Sequence, residues 1–178
     1  MLRPQRQRGV TLIELVVGML VLGIAVTLIT ASLLPLALRS TDPWHQVRAA
    51  ELGQSLMNEI LAKAFDEQSD RAGGRQRCGE SGAPPCTPAA NLGPDGGESR
   101  TGYDDVDDYH GLDVRGDAIT NILDQALLDQ YRQYRVQVQI SYDGAALGLA
   151  NREAKRIDVT VTPPDGSAIR FAAYRGNW

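Results

Sequence analysis

The sequence predicts an α+β fold: a long N-terminal transmembrane and then amphipathic helix packed on a small antiparallel β-sheet. Three observations carry this. No residue from Leu15 to Leu38 is charged. From Trp44 to Asp66, apolar residues recur at three- and four-residue steps. The C-terminal third holds three runs in which apolar and polar residues alternate with period two.

Residues 1–9 form a short polar segment with Arg3, Arg6 and Arg8, closed by Gly9. The apolar run that follows has one carboxylate, Glu14, near its start. At ~1.5 Å per residue the run crosses the ~30 Å hydrocarbon core of a bilayer as one helix, read here as residues 10–40. The arginines before it outweigh the flank after it, where Arg39 is followed by Asp42. The N-terminus is therefore expected in the cytoplasm and everything after residue 40 beyond the inner membrane, in a single pass. A cleaved secretory signal would have an apolar stretch of only ~7–15 residues, which this run exceeds roughly twofold. Gly18, Gly23, Ala25, Thr27, Thr30, Ala31 and Ser32 allow close helix packing. Pro35 removes one backbone donor, which predicts a kink. A carboxylate at the centre of a membrane costs ~2.5–3.5 kcal/mol, and less near an interface. Glu14 therefore calls for a neutralising partner; an ordinary signal anchor with one Glu near the headgroups is the competing reading.

The string Gly9-Val10-Thr11-Leu12-Ile13-Glu14-Leu15 resembles the class III leader junction of type IV prepilins and type II secretion pseudopilins. The resemblance implies that a prepilin peptidase cuts between Gly9 and Val10 and methylates the new N-terminus at Val10. Glu14 then serves assembly, its carboxylate neutralised by the α-amine of a neighbouring subunit. The implied partners are that peptidase, other major and minor pilins, the inner-membrane assembly platform and the lipid bilayer. The implied destination is the pilus at the cell surface.

The chain has 178 residues, which fits one head domain beyond the membrane helix. Its net charge of −4 becomes −7 once the three leader arginines are removed. That acidity argues against nucleic-acid binding through a basic patch.

Residues 41–66 read as the amphipathic continuation of the helix. Ala49, Leu52, Gly53, Leu56, Met57, Ile60, Leu61 and Ala64 share a broad face, while Arg48, Glu51, Gln54, Glu59 and Lys63 lie elsewhere. Asp42 and Pro43 also suit a fresh helix start. A continuous helix from Val10 to Asp66 would be ~85 Å long.

Residues 67–117 are rich in Gly, Pro, Asp and Ser and read as a loop region. Cys78 and Cys86 fall inside it, eight apart around Pro84-Pro85. In an oxidising periplasm they are expected to close a small disulfide loop. A zinc site would need further ligands, and no other His or Cys stands near. Asp104, Asp105, Asp107 and Asp108 are weak candidates for Ca²⁺, which takes six to eight oxygens, but they lack EF-hand spacing. The favoured reading has no cofactor and no metal: a solvated acidic loop whose Tyr103, Val106 and Tyr109 pack on the sheet edge. The run Tyr103-Asp104-Asp105-Val106-Asp107-Asp108-Tyr109-His110-Gly111, with the helix segment from Ala49 to Lys63, resembles minor pilins of the MSHA (mannose-sensitive haemagglutinin) pilus.

Residues 118–178 are read as the sheet of the periplasmic head. A short helix is expected over 118–130, where Ile119, Ile122, Leu123, Ala126 and Leu127 have helical spacing and Asp117 is a candidate cap. Strands are expected over 134–142, 156–162 and 168–174, the last two joined by the turn Pro163-Pro164-Asp165-Gly166. Residues 143–155 are expected to form a mobile connection, with a tighter hairpin at Asp143-Gly144 as the alternative. No catalytic motif stands out: His45 and His110 have no nucleophile or metal-ligand pattern around them, which argues against an enzyme. The expected function is a minor pilin, a structural subunit that helps a pilus assemble and so adhere. The alternatives are a type II secretion pseudopilin and, from another class, a signal-anchored periplasmic binding protein.

Overall fold

The computed structural model describes residues 11–39, 42–70, 76–121 and 131–178. Gly9 and Val10 lie outside the described residues, as do Ser40 and Thr41 and most of the expected helix over 118–130. The chain divides into two units, residues 1–43 and 44–178.

The first unit is the helix α1, Leu12–Arg39. It starts on a local signal. Thr11 Oγ1 accepts the N–H of Glu14 at 3.4 Å and Thr11 O accepts that of Leu15 at 3.2 Å. Thr11-Leu12-Ile13-Glu14 thus has the spacing of a capping box, which satisfies donors that the first turn leaves free.

The second unit begins within α2, Asp42–Leu61. Continuity of α1 with α2 rests on Ser40 and Thr41 and so lies outside the described residues. The expected run to Asp66 ends five residues early, because tertiary bonds take over the backbone. Ala64 N–H donates to Asp104 O at 3.1 Å, and Val106 N–H donates to Ala64 O at 3.0 Å. A short parallel bridge to the acidic segment replaces the last helical turn.

Four antiparallel strands form one sheet in the order β1 (Asp113–Arg115), β2 (Arg135–Tyr142), β3 (Ala154–Thr162) and β4 (Ile169–Gly176). The three longer strands match the predicted ones within two residues at each end. The short β1 lies inside the expected loop region; three residues are too few for alternation to show. Register places Val136 against Val161, Val138 against Val159 and Ile140 against Ile157. These side chains and Ala49, Leu52, Leu56, Met57 and Ile60 of α2 build one core with Tyr103, Val106 and Tyr109. The apolar helix face and the inward strand positions find each other, as the periodicities require.

Gly53 sets how closely α2 lies on β4. A Cβ there would sit 2.2 Å from the Phe171 ring. The β3–β4 turn closes with Gly166 at φ +80° and its N–H bonded to Pro163 O at 3.0 Å. The connection expected over 143–155 ends at Glu153, because β3 begins at Ala154. It contains two 3-10 turns, Gly144–Leu147 and Asn151–Glu153. Asp143 N–H donates to Ala154 O at 3.0 Å, and Gly144 is packed so tightly that a Cβ would meet Ala150 O at 2.1 Å. Of the expected 118–130 helix, the described start holds a 3-10 turn at Gly116–Ala118 and no α-helix.

Candidate functional site

Two features stand out, one in each unit. The first is the surface of α1. Leu12–Ser32 is long and apolar enough to cross a membrane, with a mean hydropathy of 2.7 and none of its most apolar window buried. Leu12, Val16, Met19, Leu20, Leu22 and Ile29 are all exposed, so the apolar surface runs around the helix. A core helix of a soluble domain would bury one side. The hydroxyl groups in this stretch are satisfied within it. The hydroxyls of Thr27, Thr30 and Ser32 donate to Gly23 O, Val26 O and Leu28 O, each at 2.8 Å. Such bonding removes the cost of bringing a hydroxyl into hydrocarbon. Glu14, the assembly residue implied by the sequence, sits in the exposed first turn.

The second feature is a buried ionic cluster at the end of the head's core. In β3, inward positions alternate, so Ile157, Val159 and Val161 share a face with Lys155. Lys155 has no exposed surface. Its Nζ lies 2.5 Å from Asp107 Oδ1, 3.0 Å from Asp66 Oδ2 and 2.7 Å from Phe65 O. The Phe65 ring lies 4.3 Å away and the Tyr142 ring 5.2 Å. The two carboxylates differ. Asp66 accepts Gln68 N–H on Oδ1 at 3.1 Å and Thr87 N–H on Oδ2 at 2.9 Å, with the Tyr142 hydroxyl at 3.4 Å. Asp107 has no donor besides Lys155, and its Oδ2 is buried without a partner.

The acidic run is therefore not the solvated loop expected. Tyr103, Val106 and Tyr109 are buried as predicted, but so are Asp105, Asp107 and Asp108. Asp105 Oδ1 accepts the N–H groups of Asp107 (2.6 Å) and Asp108 (3.2 Å). Asp108 Oδ2 accepts those of Asp104 (2.9 Å) and Asp105 (3.1 Å). These carboxylates hold a knot of local backbone, the use that short acidic side chains have in tight turns. Burial, with Asp107 and Asp108 beside it, pushes the Asp105 carboxyl up to about 8. Burial also raises Asp107, to about 6, against the pull of Lys155. Desolvation raises the Tyr109 hydroxyl, with Glu59 accepting its proton at 2.7 Å.

The expected strand opens at Arg156, two residues after the observed start at Ala154, and so leaves Lys155 out. Stepping the alternation back from Ile157 lands on a lysine on the core face, and a buried lysine demands a carboxylate partner.

Cys78 and Cys86 form a disulfide, with their Cα atoms 4.7 Å apart. Both are buried against Phe65, with Tyr142 packed alongside. Asn177 Nδ2 donates to Cys78 O at 2.9 Å, tying the C-terminal segment to the loop. Asp66 approaches the two sulfurs, but these are bonded to each other and offer no thiolate to a metal. Replacing both cysteines by serine is expected to lower head stability by about 2–3 kcal/mol, the chain-entropy value for so short a ring. Thermal unfolding with and without reductant measures it. Equal melting of the two forms would show that the loop is held by its hydrogen bonds instead.

The two histidines are structural partners. His45 Nδ1 is 2.8 Å from the Tyr134 hydroxyl, and His110 Nδ1 accepts Ile140 N–H at 3.1 Å.

Residues 4–30 match the family model of the prokaryotic N-terminal methylation motif, a type IV prepilin-like signal. The match covers the N-terminal segment and not the head. No curated protein and no solved structure gives a match to the chain. That signal, the all-round apolar α1 and the small antiparallel head support a type IV pilin-like or pseudopilin-like protein. The motif implies processing by a prepilin peptidase and assembly with other pilins, and points to a structural subunit rather than an enzyme.

Proposed function

We propose that the protein is a minor pilin of a type IV pilus, of the MSHA type, and that the MSHA minor pilin MshD is the protein it resembles in role. The observation that carries the pilin reading is the methylation motif placed directly on an uncovered apolar helix. The finer MSHA reading is supported by the resemblance of the helix segment and the acidic run. In this reading the peptidase cuts after Gly9 and methylates Val10. The subunit waits in the inner membrane as a single-pass protein with its head in the periplasm. It then enters the filament through the assembly platform, α1 packing against the apolar helices of other pilins. Glu14 guides that entry, because a carboxylate near the bilayer interface gains most from the cationic amine of a neighbour. A type II secretion pseudopilin would share the N-terminal chemistry and differ in the filament it joins.

The test is the mature N-terminus, read by intact-mass and terminal-peptide mass spectrometry in cells that have a prepilin peptidase. An N-methylated Val10 is expected. An intact Met1 on membrane-bound protein would move the assignment to a signal-anchored periplasmic binding protein. Glu14→Val is expected to leave cleavage intact and to remove the subunit from sheared filaments. Undiminished incorporation would end the assembly role of Glu14.

A further inference from the structure

Besides the apolar cavity between α2 and β1 and the disulfide loop, the head holds the buried Lys155 cluster. Lys155 and Asp107 touch in a site with no exposure of either side chain beyond 3%. Their neighbour Asp66 is held by three donors besides the lysine, whereas Asp107 keeps an unpartnered oxygen. The Phe65 and Tyr142 rings close over the amine.

We propose that this cluster is a self-modification site, in which Lys155 Nζ and Asp107 Cγ condense into an intramolecular amide bond with Asp66 as the proton carrier. The reaction proceeds from the form of the pair in which one proton has passed from Nζ to the touching Asp107 carboxylate, a transfer across a single contact that leaves no separated charge between them. Burial raises the Asp107 carboxyl, which makes that form easier to reach. Nζ attacks Cγ and a C–N bond forms. Asp66 Oδ2, 3.0 Å from Nζ, takes a proton from the nitrogen and returns it to the departing oxygen. The Cγ–O bond breaks and one water leaves. Nothing is oxidised or reduced, and no outside reactant is needed. Three donors fix the Asp66 carboxyl in place beside Nζ, where it can relay a proton, whereas Asp107 has an oxygen that nothing holds and so is the group free to react. The two partners are 48 residues apart in the sequence. Only the folded head brings them together, and there the reaction has the high effective concentration of a fixed pair.

The experiment is the intact mass of the full-length protein purified from membranes, reduced and denatured, followed by peptide mapping. The expected mass is lower than the reduced sequence by one water, with a branched peptide joining Lys155 to Asp107. Asp66→Asn is expected to slow linkage by about a hundredfold or more, so that most of the chain regains the full mass. A wild-type chain at full mass, with both side chains free in the map, overturns the proposal and leaves an ion pair. A branch from Lys155 to Asp66 overturns the assigned roles. The wild-type measurement decides without any variant having to fold.

Discussion

Lys155→Met is expected to destabilise the head by about 3–5 kcal/mol, among the largest losses from a single substitution in this chain. Methionine keeps an unbranched stem of similar length, so it leaves no large cavity between Phe65 and Tyr142. The loss comes from polarity. Asp66 and Asp107 would face each other across a site with almost no solvent exposure, with no cation and no amide nitrogen between them. Phe65 O would also lose its donor at 2.7 Å. Because Asp66 anchors Thr87 N–H and Asp107 belongs to the acidic run, the damage would spread to the disulfide loop and to the bridge that ends α2. The check is thermal unfolding of the intact protein in detergent, followed by near-ultraviolet circular dichroism of the tyrosines. A melting temperature within a degree or two of wild type would show that apolar packing alone closes this end of the core.

The same cluster explains what was legible in the sequence and what was not. α1 was legible because an uninterrupted apolar run of that length reads as a helix long enough to cross a bilayer. The inward faces of α2, β2, β3 and β4 were visible because each repeats its period several times. Val136, Val138 and Ile140 could hardly face anything but Ala49, Leu52 and Leu56. The acidic run was misjudged because charge density was read as solvation. Nothing in the local sequence of Asp105, Asp107 and Asp108 says that one lysine about fifty residues later will sit on the core face. The end of α2 was placed too late for the same kind of reason. Lys63 and Ala64 continue the helical pattern, and only the bonds of Ala64 to Asp104 and Val106 overrule it. Long-range pairing won over local propensity at both places.

Asp105→Asn is expected to change little at pH 4 and to stabilise the protein increasingly as the pH rises to 8, by about 1.4 kcal/mol for each pH unit by which the folded carboxyl lies above its ordinary value. Asp105 titrates near 8 in the fold, against 3.8 for a free side chain, because burial and the adjacent Asp107 and Asp108 penalise its charge more than Lys155 favours it. A carboxyl raised in this way binds its proton more tightly folded than unfolded. Its contribution to stability is complete below about pH 4, declines as the unfolded chain ionises, and is gone once the pH passes about 8. The exposed Asp113 and Asp165 are lowered and act the opposite way at the acid end. The head is therefore expected to lose stability from about pH 4 to pH 8, unlike proteins whose carboxylates are mainly ion-paired. Asparagine removes the charge and keeps the acceptor. Its Oδ1 can take the N–H groups of Asp107 and Asp108 as Asp105 does now at 2.6 and 3.2 Å. Chemical denaturation of both forms across this range is the measurement, and the slopes decide. If wild type and Asp105→Asn decline in parallel, Asp105 is already ionised in the native head, and its two backbone donors outweigh its burial. If only wild type declines, Asp105 holds a proton in the folded acidic run, and that run packs in the core because part of its charge is absent.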